Sequence, residues 1–174
     1  ACINFMDAHS PWYPSNNHNL FTNKDHSLFE IQSRTTPGQL SRVVQYLYGD
    51  WDVDEWASLQ PLYDGAIHKV DSLIHTVISS LRHRELLNNT LVIITSDHGE
   101  GFGERDNLKG TRHVSHGGTV DTELTHVPLV VQFPGQTDKK VIEKVANIRR
   151  FPKAVQEVVL SSSEPDYSVF SPDN

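Results

Sequence analysis

The sequence predicts an α/β fold in which a mostly parallel sheet is flanked by helices. Three observations carry that expectation. Leu91-Val92-Ile93-Ile94 is a short aliphatic run closed by Thr95-Ser96-Asp97-His98-Gly99, the pattern of a strand buried on both faces. A long amphipathic segment, Ser58 to Leu87, reaches it through Asn88-Asn89, giving the helix, tight turn, strand order of a βαβ crossover. A second short apolar run, Leu129-Val130-Val131-Gln132-Phe133, stops at the Pro134-Gly135 turn.

Taken in order, Cys2 to Met6 reads as a first buried strand. Asp7-Ala8-His9-Ser10-Pro11-Trp12-Tyr13-Pro14 then leaves it as a loop, because two prolines forbid helix or central strand. His9 is the ligand-type residue of that loop, although an isolated histidine also serves as a simple loop cap. The opening apolar run has no polar lead-in, so the chain reads as a piece of something longer. Residues 15–56 are expected to form an irregular, lid-like excursion: 15–39 is polar without a period. Within 40–56, Val43, Val44, Leu47 and Tyr48 fit a short helix before the turn at 50–54.

The segment 58–87 is the most regular. Ser58 is placed to cap it and Pro61 falls in its first turn. Ile67, Val70, Ile74, Val77 and Leu81 step by three and four, with Leu73 and Ile78 widening the stripe, so one apolar face is expected. About 25 residues at 1.5 Å each would span roughly 38 Å. His68, His75 and His83 fall on or near its solvated side and are assigned nothing.

Beyond the strand at 91–96, Gly99-Glu100-Gly101-Phe102-Gly103-Glu104 reads as a flexible loop. It fails the G-x-G-x-x-G dinucleotide fingerprint at Glu104. His113-Val114-Ser115-His116-Gly117-Gly118 reads as a second loop with a histidine cluster. Val141 to Val145 is a candidate third strand, and Pro152 to Leu160 a short helix with Val155, Val158 and Val159 on its apolar side. The polar stretch 161–174 reads as a frayed tail.

Composition removes several function classes. A formal net charge of −7 argues against nonspecific nucleic-acid binding, which needs a basic surface. Cys2 is the single cysteine, so neither an intrachain disulfide nor a cysteine zinc cage can form. No stretch approaches the length of a membrane span. Compartment and oligomeric state leave no mark in the sequence.

In open α/β sheets, ligands gather beyond the carboxyl ends of strands. Asp97 and His98 stand at such an end, with His9 on a loop expected at the same edge. Carboxylate oxygens suit Ca²⁺, Mg²⁺ or Mn²⁺, while imidazole admits Zn²⁺; such a metal could polarise an ester oxygen. On residue types alone, a structural Asp–His pair is equally open. A Ser-His-Asp hydrolase is weakly supported, because no G-x-S-x-G elbow surrounds Ser96 or Ser115.

Assembled in order, these pieces resemble a known family. Asn4-Phe5-Met6-Asp7-Ala8-His9-Ser10-Pro11-Trp12 is similar to the D-x-H-x-P loop of sulfatases. Tyr63-Asp64-Gly65-Ala66-Ile67 with Asp71 resembles the family's helix before the metal strand. Thr95-Ser96-Asp97-His98-Gly99-Glu100, Gly103-Glu104, His116-Gly117 and His126-Val127-Pro128-Leu129 resemble the later part of its catalytic domain.

The resemblance covers about residues 1 to 160. It implies an incomplete alkaline phosphatase-like fold and hydrolysis of a small-molecule or glycan sulfate ester. It implies Asp97 and His98 as metal ligands, Ca²⁺ being expected, with Mn²⁺ and Zn²⁺ as alternatives. His9 is implied as a contact of the sulfate group, and His116 as a donor to the substrate's charged oxygens.

Two departures follow. The family's Cys or Ser in C/S-x-P-S-R, matured to formylglycine, is absent, since Cys2 precedes Ile-Asn-Phe. The paired aspartates of the first strand are absent too. Both are expected outside this chain, leaving it inactive in isolation. The same motifs also admit a phosphoryl-transfer member of the superfamily, such as a phosphodiesterase, phosphonate monoester hydrolase or phosphoglycerol/phosphoethanolamine transferase. A non-catalytic remnant or interaction module is a further alternative.

Overall fold

Residue Leu62 is fully buried and Ile67, five positions on in the same helix, is 43% exposed. The face this helix presents to the core therefore differs from the one its apolar stripe suggests. The computed structural model describes residues 1–10, 12, 17, 20–21, 57, 59–106, 112–117 and 119–160. Ser58, the 161–174 tail and nearly all of the 15–56 excursion lie outside them. Among the described residues the elements are α1 (Gln60–His83), β1 (Val92–Thr95), β2 (Gly101–Asp106), β3 (Arg112–Ser115), α2 (Thr122–Thr125), β4 (Leu129–Gln132) and α3 (Phe151–Leu160).

The described residues of Ala1–Val77 and His98–His126 form one compact unit, and those of Ile78–Asp97 and Val127–Asn174 a second. In the first, α1 buries Leu62, Gly65 and Ala66, one turn ahead of the expected stripe. Gly65 and Ala66 are buried, whereas the longer Ile67 is exposed. Val70, Leu73, Ile74 and Val77 are half-buried. Trp12, Leu59, Phe102 and Leu124 complete the buried apolar set. Trp12, Tyr63 and Phe102 meet as a ring cluster, with centroids 5.5 Å apart for Trp12–Tyr63, 5.6 Å for Trp12–Phe102 and 5.3 Å for Tyr63–Phe102. Tilted and edge-on rings at this spacing add about 0.5–1.5 kcal/mol per pair beyond area burial.

The helix ends four residues before the expected point. Leu86 N–H donates to Leu81 O at 2.9 Å and Glu85 N–H to Arg82 O at 3.0 Å, with Glu85 at φ 59°. This is a Schellman cap whose left-handed position holds glutamate where glycine is usual. Asn88-Asn89, expected to stop the helix, instead belongs to a short 3-10 turn at Leu87–Asn89.

The second unit is a β1–β4 ladder covered by α3. The strands are antiparallel, Val92 facing Gln132 and Thr95 facing Leu129. Parallel pairing is not found among the described residues, where both ladders are antiparallel. An apolar run reports burial but carries no information on its partner's direction, which the connection sets. The β1 residues are also half-buried rather than buried, with Thr95 exposed. Phe133 and Ala154 are buried at the centre, against Leu91, Leu129, Val131, Phe151 and Val158. On α3 the inward face is therefore Phe151, Ala154 and Val158; Val155 and Val159 are exposed, contrary to the expected stripe. Ala154 is the small residue that lets α3 lie on Phe133.

Two expected strands are not formed. Cys2–Met6 has no strand structure and leaves Ile3 and Met6 exposed; Val141–Val145 likewise has none. Their apolar content meets no ladder partner among the described residues. Conversely, the two expected loops at 99–104 and 113–118 contribute a hairpin. Gly101 faces Ser115 and Phe102 faces Val114, and the register then slips before Asp106 meets Arg112. Gly103, at φ 86°, makes the bulge, and Glu104 turns back so that its carboxylate accepts the Phe102 N–H at 2.7 Å. Glycines on either side of Phe102 erase the alternation that marks a strand, which is why the sequence pattern missed it.

Candidate active site

Three of the four expected site residues, His9, His98 and His116, come together in the first unit. His9 sits on a turn closed by its own N–H donating to Met6 O at 3.0 Å. Asp7, two residues earlier, pairs with Lys69 of α1 at 2.5 Å, tying the turn to the helix. Trp12 Nε1–H donates to Ala8 O at 3.0 Å, so the buried indole anchors the other side. The His9 ring nitrogen Nδ1 lies 2.7 Å from Ser10 O.

His98 follows β1, and its Nδ1 lies 2.7 Å from Gly99 O. The turn there is fixed by Gly99 N–H donating to Leu124 O at 2.8 Å. A Cβ at Gly99 would collide with the Glu123 carbonyl, so only glycine allows α2 to lie this close. His116 follows β3, next to Ser115 at φ 67° and Gly117 at φ 88°. Ser115 is buried, and a non-glycine residue in this region stores strain of about 1–3 kcal/mol.

His116 is the middle ring. Its centroid lies 4.2 Å from that of His98 in a stacked pair and 5.2 Å from that of His9 in an edge-on pair. Its Nδ1 lies 3.1 Å and 3.3 Å from the two carboxylate oxygens of Glu100, whose side chain is only 4% exposed. Asp97, the fourth expected residue, is exposed and belongs to the second unit. In the sequence Glu100 stands out only as part of a motif. The β2–β3 register is what would have exposed it.

Carbonyl oxygens only accept, so the Nδ1 atoms of His9 and His98 carry the protons. In the neutral rings the Nε2 atoms then hold the lone pairs. A metal-bound histidine commonly donates its second ring N–H to a carbonyl in this way, so His98 fits as an imidazole donor. Among the described residues, however, no three His, Cys, Asp or Glu side chains are arranged to hold a metal ion. The stacking gives part of the reason, because in-plane lone pairs of face-to-face rings run side by side rather than converging. The fit is therefore that of a contributor to a site, not of a complete cage.

Two groups nearby are held off their ordinary ionisation. Burial, and after it the charges of Glu100 and Asp64, raise the Tyr63 phenol above 10.0. Burial raises the Asp64 carboxyl above 3.8. Ser10 Oγ is buried without a hydrogen-bond partner among the described residues.

A turn-borne histidine, a post-strand His-Gly and a later His-Gly thus gather around one centre. Residues 2–158 match the family described as Sulfatase, and the chain belongs to that family. It is 29% identical over 90 residues to human iduronate 2-sulfatase, covering 52% of this chain and 15% of that protein. It is 34% identical over 92 residues to the uncharacterized sulfatase YidJ of Escherichia coli (strain K12), covering 53% and 17%. Against rat steryl-sulfatase the figures are 33% over 105 residues, 55% and 18%. The matched stretch is thus less than a fifth of each of these relatives. No solved structure matches the chain. Among the described residues, no helix is long and apolar enough to cross a membrane.

Proposed function

We propose that this chain supplies the histidine side and two metal ligands of the active site of a sulfate-ester hydrolase acting on a small-molecule or glycan ester. The gathering of His9, His98 and His116 in one unit is the observation that carries the reading, together with membership of the sulfatase family. His98, with Nδ1 tied to Gly99 O, offers Nε2 as a ligand, and the neighbouring Asp97 supplies a carboxylate in the same role. A divalent cation, Ca²⁺ before Mn²⁺ or Zn²⁺, would stabilise negative charge on the ester oxygens when bound.

His9 and His116 then act on the anionic substrate directly. In their imidazolium forms, each donating through Nε2–H, His9 contacts the sulfate group and His116 faces the oxygen on which charge develops as the ester bond breaks. The attacking group is a formylglycine supplied from outside these 174 residues, which contain no C/S-x-P-S-R sequence.

The test compares the 174-residue chain with a protein in which it is joined to a nucleophile-bearing segment, using 4-nitrophenyl sulfate and 4-nitrophenyl phosphate. Sulfate turnover by the joined protein alone, abolished by Asp97→Ala and by His98→Ala, is the expected result. Preferential phosphate turnover would move the protein to the phosphoryl-transfer branch. Turnover by the chain alone, lost in Asp97→Ala, would overturn the external nucleophile.

A further inference from the structure

We infer that Glu100 is the positioning residue of His116: it fixes the ring's tautomer and turns Nε2 toward the substrate side of the site. The inference deepens the hydrolase reading and rests on it for the word substrate, but its geometry stands alone. Gly101 faces Ser115 across the β2–β3 ladder, and one further step outward sets Glu100 opposite His116. Cross-strand neighbours are the closest side-chain pairs a sheet offers. Both carboxylate oxygens lie on the same ring nitrogen, at 3.1 Å and 3.3 Å.

A surface ion pair does not account for this contact. The Glu100 side chain is 4% exposed and that of His116 25% exposed. A buried carboxylate left without its donor would carry a desolvation cost, so the contact constrains both partners. The remaining faces of the ring are also set. His98 stacks on one side and His9 abuts it edge-on. Ser115 and Gly117, both at positive φ, bracket the residue in the chain. A carboxylate accepts and cannot donate, so Nδ1 holds the proton and Nε2 is the nitrogen presented for chemistry. Carboxylate-oriented imidazoles of this kind recur in catalytic and metal-bound histidines on unrelated folds.

The tautomer can be read without any substrate. In the ¹⁵N-histidine-labelled chain, at a pH where imidazoles are neutral, two-bond ¹⁵N–¹H correlations distinguish Nδ1–H from Nε2–H; a His116→Gln sample identifies the signal. Wild-type His116 is expected as Nδ1–H. Glu100→Ala should move it to the Nε2–H form that free imidazole prefers, while the patterns of the other histidines stay in place. Wild-type His116 found as Nε2–H would overturn the inference whether or not the variant folds.

In the nucleophile-joined protein, Glu100→Ala should lower kcat by about 10–100-fold with KM little changed, the range typical of losing such a support. Absence of hydrolysis with the Nδ1–H tautomer intact would defeat the hydrolase reading alone. Hydrolysis with the Nε2–H tautomer would defeat this inference alone.

Discussion

His98 lies stacked on His116 with centroids 4.2 Å apart and ring planes 25° from parallel. Imidazole lone pairs lie in the ring plane, so two rings stacked this way do not aim at one ion. On that geometry the two histidines are expected to differ in role. His98→Ala should weaken divalent-metal binding by more than the roughly 10–100-fold typical of losing a ligand's hydrogen-bonded support. His116→Ala should leave stoichiometry unchanged. Isothermal titration with Ca²⁺ and Mn²⁺ on both variants decides; equal losses would mean that both rings ligate.

Gly99 lies directly against the backbone of α2. Its N–H donates to Leu124 O at 2.8 Å, and an added Cβ would strike the Glu123 carbonyl. That obstacle is backbone, so it cannot swing aside like a side chain. Gly99→Ala should cost about 1–3 kcal/mol, the usual range for overpacking, read as a lower urea midpoint at unchanged slope. The histidine cluster should loosen with it, since His98 donates to the carbonyl of this same glycine.

The left-handed glutamate of the α1 cap gives the opposite sign. Glu85 stands at φ 59°, where a side chain costs about 1–2 kcal/mol and glycine pays nothing sterically. Glycine also gives the unfolded chain more freedom, which offsets part of the gain. Glu85→Gly should therefore raise stability by up to about 1 kcal/mol, visible as a higher thermal midpoint. A lower midpoint would show that the glutamate side chain makes a contact worth more than the strain.

The candidate site residues are more legible in the sequence than the architecture around them. Asp97-His98-Gly99, His9 and His116-Gly117 are read from motif order, because residue type survives in the linear text. The long helix was legible from its 3.6-residue period and α3 from its short apolar pattern. Less visible were features fixed by close approach and by pairing. Gly65 and Ala66 turn α1 onto a face that hydrophobicity alone does not select. The Gly103 bulge hides β2, and with β2 unread the Glu100–His116 pair cannot be inferred. Strand direction is not legible in the sequence for the reason already given for β1: apolar runs look alike in parallel and antiparallel ladders.

Tyr63 gives the molecule a distinct behaviour in alkali. Its ring packs against those of Trp12 and Phe102, and burial, followed by the charges of Glu100 and Asp64, raises its phenol above 10.0. The folded state thus holds this proton after the unfolded state has released it. Stability must then fall as pH climbs from 10.0 through the raised folded value, because the native state binds more protons across that window. Absorbance at 295 nm should show one of the five tyrosines ionising late, and Tyr63→Phe should remove that late step. The same substitution should flatten the decline in urea-derived stability above pH 10.0. Below that pH it keeps the ring cluster intact, so the near-ultraviolet circular dichroism of the Trp12 environment should be retained. A late-ionising tyrosine that persists in Tyr63→Phe would place the shifted phenol elsewhere in the chain.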